Sequence, residues 1–167
     1  GCGWYEKRFE SVGGTLMFEF ESVMTEATVY LDGKEIGTHY GAFTQFEIIV
    51  NEVESGEHTL VVCADSTLTA LSFPQRYTDW FNYGGIARDV SLSELEGISI
   101  LLNHICYQLN EDLRSADVWC ELNLYNASNE KTRSPVSVKL GENVIYNEVI
   151  TLDGYEEVAH VQPYATK

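Results

Sequence analysis

The chain contains no long hydrophobic run and few basic residues. No stretch of its 167 residues approaches the roughly 18 apolar residues that a membrane-spanning helix needs. Only 10 residues are lysine or arginine, against 26 that are aspartate or glutamate, which gives a net charge of −16. Because such a charge repels phosphate backbones and anionic lipids, we expect no nucleic-acid partner and no membrane partner.

Several motifs that carry chemistry are also absent. The four cysteines form no Cys-x-x-Cys pair, and no two of His39, His58, His104 and His160 stand at the spacing of metal ligands. Neither a Gly-x-Ser-x-Gly elbow nor a Gly-rich phosphate loop occurs. The sequence therefore predicts no metal site and no cofactor. No basic and apolar leader opens the chain, so we expect a cytoplasmic location.

Alternation with a period of two is the dominant pattern in the sequence. From Leu16 to Glu21 it places a leucine and two phenylalanines on one face and two glutamates on the other. Asp32-Gly33 supplies the residues that a tight hairpin turn requires. No segment of helical length carries a sustained apolar stripe at three-four spacing. These patterns predict an all-β protein.

One long segment lacks the alternating pattern of the predicted strands. Residues 66–88 are too long for an ordinary connection, and they contain five aromatic residues, Phe73, Tyr77, Trp80, Phe81 and Tyr83. Such a loop is uncommon unless it is functional or disordered, and the aromatic content argues against disorder. Strand-like segments resume after this loop and are interrupted at Glu96-Gly97, where we place a domain boundary. We predict one domain over 1–96 and a short, truncated immunoglobulin-like sandwich over 97–167.

Four segments carry distinctive sequence motifs, and they occur along the chain in the order Gly3–Phe9, Ala27–Lys34, His39–Phe46 and Asp79–Leu92. The last reads Asp-Trp-Phe-Asn-Tyr-Gly-Gly-Ile-Ala-Arg-Asp-Val-Ser-Leu and is the most specific of the four. Together they resemble the amino-terminal domain of glycoside hydrolase family 2. The third segment departs from the family pattern, because Gln45 stands where the family has proline.

The resemblance implies a jelly-roll sandwich of the galactose-binding kind over 1–96, without its first strands, followed by the immunoglobulin-like sandwich. Members of the family are β-galactosidases, β-glucuronidases and β-mannosidases, and a later (β/α)₈ barrel carries both catalytic glutamates. The resemblance therefore implies that this chain is a non-catalytic amino-terminal fragment of a retaining β-glycosidase, with the barrel as its partner and a carbohydrate as substrate. Two alternatives are a freestanding carbohydrate-binding module and a purely structural pair of sandwiches.

Three residues of the aromatic loop are candidates for substrate binding. The resemblance implies that Asp79 reaches into the sugar pocket and accepts hydrogen bonds from hydroxyl groups, a task that suits a carboxylate. Trp80 and Tyr83 could stack on sugar rings. In the alternative interpretation Asp79 caps a turn or pairs with Arg76 or Arg88, and the aromatic side chains pack against a neighbouring domain.

We assign no catalytic residue. Asn51-Glu52 follows an apolar strand, which resembles the way in which the family presents its acid/base residue, but Asn-Glu recurs at 110–111, 129–130 and 147–148. Without a barrel the loop at 73–85 is exposed, so we expect either disorder there or burial against another copy of the chain. The missing first strands leave an open sheet edge, which leads us to expect self-association.

Overall fold

The computed structural model describes residues 1–70, 72, 73, 75, 77–159 and 164–166. None of these residues lies in a helix, so no helix in the described part could cross a membrane, and the all-β prediction is confirmed. The strands are β1 (Cys2–Ser11), β2 (Gly14–Phe20), β3 (Val23–Met24), β4 (Glu26–Leu31), β5 (Lys34–Tyr40), β6 (Phe46–Val53), β7 (Gly56–Asp65), β8 (Gly85–Ile86), β9 (Val90–Leu95), β10 (Ile98–Leu109), β11 (Ala116–Asn126), β12 (Thr132–Leu140), β13 (Asn143–Leu152), β14 (Glu157–Ala159) and β15 (Tyr164–Thr166). The chain forms two compact units, Gly1–Glu94 and Leu95–Lys167.

The first unit is a sandwich of two main sheets. One sheet has the order β1-β7-β4-β5, the other has the order β6-β2-β9, and β3 pairs with β8 beside them. Leu16, Phe18 and Phe20 are at most 1% exposed, and they pack in one cluster with Val29 and Val62 of the first sheet. The predicted inward face of residues 16–21 is therefore confirmed, and its burial joins the two sheets.

The hairpin turn between β4 and β5 is fastened to β7 by one carboxylate. Asp32 and Gly33 both have positive φ angles, 51° and 81°. Asp32 Oδ1 accepts the Thr59 N–H at 2.8 Å, and its Oδ2 lies 2.7 Å from His58 Nδ1. His58 Nε2 lies 2.8 Å from the carbonyl oxygen of Glu54. The hydrogen bond between the two side chains raises the pKa of His58 and lowers the pKa of Asp32.

The second unit is built around β11. That strand pairs with β10 on one side and with β14 and β15 on the other, while β12 and β13 form a separate hairpin. Cys120, Leu122 and Leu124 alternate along β11 and pack against Val136 and Leu152 of the hairpin. Period-two burial on one face of β11 therefore holds the two sheets together.

Asn126 ties two connections of the second unit together. It is fully buried, and its Nδ2 donates to the carbonyl oxygens of Glu130 at 2.8 Å and Asp153 at 2.9 Å. Its Oδ1 accepts the N–H of Ser128 at 3.1 Å and the Ser128 hydroxyl at 3.0 Å. One side chain thus satisfies backbone groups of both the β11–β12 and the β13–β14 connections.

The sequence pattern of the second unit predicts a polar connection over 126–133. The connection in the structure is shorter, because β12 already begins at Thr132 and contains Pro135. Among the described residues β12 pairs only with β13, and such an edge strand tolerates a residue without an N–H. The sequence pattern also predicts a last strand over 157–161; β14 covers its first part, and residues 160 and 161 lie outside the described residues.

Candidate functional site

Local hydrogen bonds order the beginning of the long loop, residues 66–84, that follows β7. Asp65 Oδ1 accepts the N–H and the hydroxyl of Thr67 at 2.8 and 2.6 Å, and these bonds lower the pKa of Asp65. The Thr69 N–H donates to Ser72 Oγ at 2.7 Å, and the N–H of the buried Ser72 donates to the Thr69 carbonyl oxygen at 3.3 Å. The loop therefore leaves the sheet in a fixed direction.

The end of the loop is held by a strand pair and by one amide. β8 pairs with β3, which returns the chain to the first unit. Asn82 Nδ2 donates to Thr78 Oγ1 at 3.0 Å and to the Gln75 carbonyl oxygen at 3.4 Å. Gly85 has a φ of 91°, and the Tyr5 side chain occupies the space that a Cβ at this position would need. Glycine is therefore required where the loop rejoins the sheet.

Between these two anchors the loop presents aromatic rings to solvent. Trp80, Phe81 and Tyr83 are 58%, 84% and 74% exposed, and the rings of Phe81 and Tyr83 stack with centroids 6.1 Å apart. Exposed apolar surface of this kind marks a ligand site or an interface with another domain.

Asp79 is exposed at the start of this aromatic stretch. It forms no hydrogen bond or ion pair with any residue that the structure describes, and the exposed Arg88 does not pair with it. The other predicted partner, Arg76, lies outside the described residues. Within the described part of the chain, the carboxylate is therefore available to accept hydrogen bonds from a ligand.

A second polar group of the loop, the side-chain amide of Asn82, matches no sequence pattern that would single it out. Asn82 Oδ1 is buried and has no hydrogen-bond partner among the described residues. Together with Ser66 and Tyr83, Asn82 lines a small cavity of about 80 Å³. A buried acceptor without a partner is costly, and a hydroxyl group in the cavity would satisfy it. Only the burial of the amide distinguishes Asn82 from an ordinary loop asparagine.

A larger cavity of about 330 Å³ lies elsewhere in the first unit. Its lining is mostly apolar and includes Phe9, Phe18, Val62 and Leu92. Such a lining suits packing against apolar surface, whereas sugar recognition needs convergent hydrogen-bonding groups.

The other candidate residues lie apart from the loop. Glu52 is an exposed residue of β6. His39 stacks on Phe46 with ring centroids 4.2 Å apart, and His58 is the partner of Asp32. His104 is exposed on β10, and His160 lies outside the described residues. The structure therefore brings no two of the three described histidines together.

Comparison with known proteins finds relatives among the β-galactosidases and β-glucuronidases. No family model matches the chain. It is 34% identical over 152 residues to a β-galactosidase of Thermoanaerobacterium thermosulfurigenes, covering 86% of this chain and 21% of that protein. It is 30% identical over 142 residues to a β-glucuronidase of Streptococcus agalactiae, covering 71% of this chain and 24% of that protein. The chain thus spans between a fifth and a quarter of the length of these relatives.

Two solved structures share the fold. A family 2 β-galacturonidase from Eisenbergiella tayi covers the whole chain with a TM-score of 0.81 and 30% identity, and the match spans 28% of that protein. A β-glucuronidase from Bacteroides uniformis covers 99% of the chain with a TM-score of 0.80. This second match has 22% identity and spans 21% of the B. uniformis protein, so it shows similarity of fold alone.

Fold and sequence similarity together define a β-sandwich portion of a glycoside hydrolase. The chain belongs to glycoside hydrolase family 2 and corresponds to its amino-terminal β-sandwich domains. The family resemblance of the four sequence segments is thereby confirmed.

Proposed function

We propose that this chain is the non-catalytic amino-terminal part of a retaining β-glycosidase of the β-glucuronidase or β-galactosidase type. It scaffolds a catalytic barrel and contributes the loop at 66–84 to the rim of the sugar pocket. Within that loop Asp79 accepts hydrogen bonds from sugar hydroxyl groups, and Trp80 and Tyr83 cover an apolar face of the ring.

The observation that carries this proposal is the state of the Asp79 side chain. Its exposed carboxylate has no partner in the described part of the chain, although the loop around it is anchored at both ends. Charged acceptors form stronger hydrogen bonds to hydroxyl groups than neutral acceptors do. An exposed carboxylate without a partner among the described residues, on a loop anchored at both ends and beside exposed rings, is the combination that sugar recognition needs.

The absence of a catalytic role is tested with the chain by itself. Retaining hydrolysis needs two carboxyl groups about 5–5.5 Å apart on opposite sides of the scissile bond. The family resemblance assigns both of these groups to the barrel. We therefore expect no turnover of chromogenic β-glucuronides or β-galactosides by the folded chain. Turnover that persists in Asp79→Asn and disappears in Glu52→Gln would contradict the proposal.

A freestanding carbohydrate-binding module is a second candidate, which the exposure of Trp80, Phe81 and Tyr83 favours. This function predicts that the isolated chain binds simple glycosides and that Trp80 fluorescence changes until the site is saturated. A scaffold that only completes a pocket formed by another domain predicts no saturation. Trp80→Phe serves as the control, because it removes the signal of the loop and leaves Trp4 and Trp119 as reporters elsewhere.

A further inference from the structure

Three side chains of different chemistry meet on one face of the second unit. His104 on β10 is directly opposite Glu121 on β11, so the two side chains point to the same side of the sheet. Cys106 follows two residues after His104 on the same strand and therefore shares that face. Neither the spacing along the sequence nor any short motif would have linked Glu121 to the other two residues.

The distances within this cluster suit a tetrahedral metal ion. His104 Nδ1 lies 3.6 Å from Glu121 Oε2 and 3.7 Å from Cys106 Sγ, and all three ligand atoms lie within 4.8 Å of one another. Zinc bonds of about 2.0–2.3 Å at tetrahedral angles separate neighbouring ligand atoms by roughly 3.4–3.6 Å. The two distances from His104 are therefore near the required values, and the Cys106 and Glu121 ligand atoms lie within 4.8 Å of each other.

A purely structural role explains this cluster poorly. The side chains of His104 and Glu121 are 61% and 46% exposed, and exposed ion pairs of this kind contribute little to stability. Free cysteine is usually among the most buried residues, as Cys120 on the opposite face is. Cys120 Sγ donates to Asn103 Oδ1 at 2.9 Å, whereas Cys106 points its sulfur toward His104 and Glu121.

We propose that His104, Cys106 and Glu121 form a zinc site, with water as the fourth ligand. The donor set is one imidazole nitrogen, one thiolate sulfur and one carboxylate oxygen, which suits Zn²⁺ and does not suit Mg²⁺ or Ca²⁺. The ion would crosslink β10 to β11 on the face opposite the core of the second unit. The site is independent of the sugar-binding loop and of the function proposed for it.

The test is a titration of the reduced, metal-free chain with Zn²⁺ alone, measured against a chromophoric chelator. Co²⁺ is used in parallel, because a thiolate ligand gives it a charge-transfer absorption band. We expect stoichiometric binding with that band present. His104→Asn, Cys106→Ser and Glu121→Gln should each raise the Kd at least about tenfold, since each removes one of three protein ligands. Cys106→Ser should also abolish the band.

Cys2→Ser is the matched control, because Cys2 Sγ contacts Cys63 Sγ at 2.6 Å in the first unit and offers an alternative pair of thiols. Its affinity for Zn²⁺ should equal that of the unchanged chain. Binding that is lost in Cys2→Ser, or that is unchanged in Cys106→Ser, would overturn the proposal. If a variant fails to fold, as judged by circular dichroism, the unchanged chain still decides the matter, because a Co²⁺ spectrum without a thiolate band refutes the site.

Discussion

Replacing Asp32 by asparagine should weaken the first unit in a pH-dependent way. Asparagine tolerates the positive φ of 51° at this turn position, and its side-chain oxygen can still accept the Thr59 N–H. The substitution removes the negative charge that faces His58 at 2.7 Å. It therefore isolates the charged hydrogen bond from the geometry of the turn.

The expected loss at pH 6 is about 1–2 kcal/mol in the free energy of unfolding. Hydrogen bonds to charged groups contribute about 1.5–3 kcal/mol, and the lower part of that range applies because the Asp32 side chain is 51% exposed. The His58 side chain is only 9% exposed, so its imidazolium has little water to replace the lost partner.

The direction of the pH dependence follows from the pKa shifts of His58 and Asp32. The pKa of His58 lies above its ordinary value of 6.5, so the contribution of its charged form is complete below pH 6.5 and is lost as the pH rises through the folded-state pKa. The pKa of Asp32 lies below 3.8, so its contribution is present above pH 3.8 and is lost as the pH falls through the lowered value. The advantage of the unchanged chain over Asp32→Asn is therefore largest between pH 3.8 and 6.5.

Urea unfolding from about pH 4 to pH 9 measures this difference directly. Glu57→Gln is the control, since it removes one exposed carboxylate from β7 without touching the Asp32–His58 pair. A destabilisation by Asp32→Asn that stays constant up to pH 9, or that grows with pH, would refute the reasoning. An equal effect of Glu57→Gln would show that overall charge is the cause.

Two further matched pairs test the packing. Gly13 and Gly14 both have positive φ, 88° and 97°, but a Cβ at Gly13 would meet the backbone at 53–55 whereas a Cβ at Gly14 meets nothing. Urea unfolding should show Gly13→Ala to be about 1–3 kcal/mol more destabilising than Gly14→Ala, and equal losses would contradict the close approach. Asn126→Asp buries a charge against carbonyl oxygens and should destabilise the second unit by about 3–5 kcal/mol, while Asn129→Asp at an exposed position should be nearly neutral. Thermal unfolding followed by circular dichroism would separate the two, and similar melting temperatures would contradict the role of Asn126.

Sequence patterns predicted the features that depend on residues close together in the sequence. The alternation in residues 16–21 fixed which side chains face the core, and Asp32-Gly33 fixed the hairpin turn, because both signals lie within a few residues. The aromatic composition of residues 66–88 likewise singled out this long connection, in which Trp80, Phe81 and Tyr83 are exposed. The strand hydrogen bonds of β8 rest on the two residues of β3, about 60 positions earlier, which no local pattern reveals.

The features that sequence reasoning missed depend on register between distant strands. His104 and Glu121 face each other only because β10 and β11 pair in one particular register, and that pairing includes an irregularity between Ile100 and Leu102. The burial of Asn82 Oδ1 likewise depends on residues distant in sequence, because the two ends of the loop, at Ser66 and Asn82, line the same cavity. Such contacts need coordinates, because a shift of one residue along a strand moves a side chain to the other face.

The proposed function assigns this chain to a longer β-glycosidase, and the most direct test of it is the effect of Asp79→Asn on catalysis by that full-length enzyme. Loss of a charged hydrogen bond to a sugar hydroxyl, about 1.5–3 kcal/mol, predicts that kcat/KM for a chromogenic β-glycoside falls roughly 10- to 150-fold. The control Glu57→Gln should leave kcat/KM unchanged. If Asp79→Asn hydrolyses the substrate as efficiently as the unchanged enzyme, the loop does not contribute to the sugar pocket and the account is contradicted.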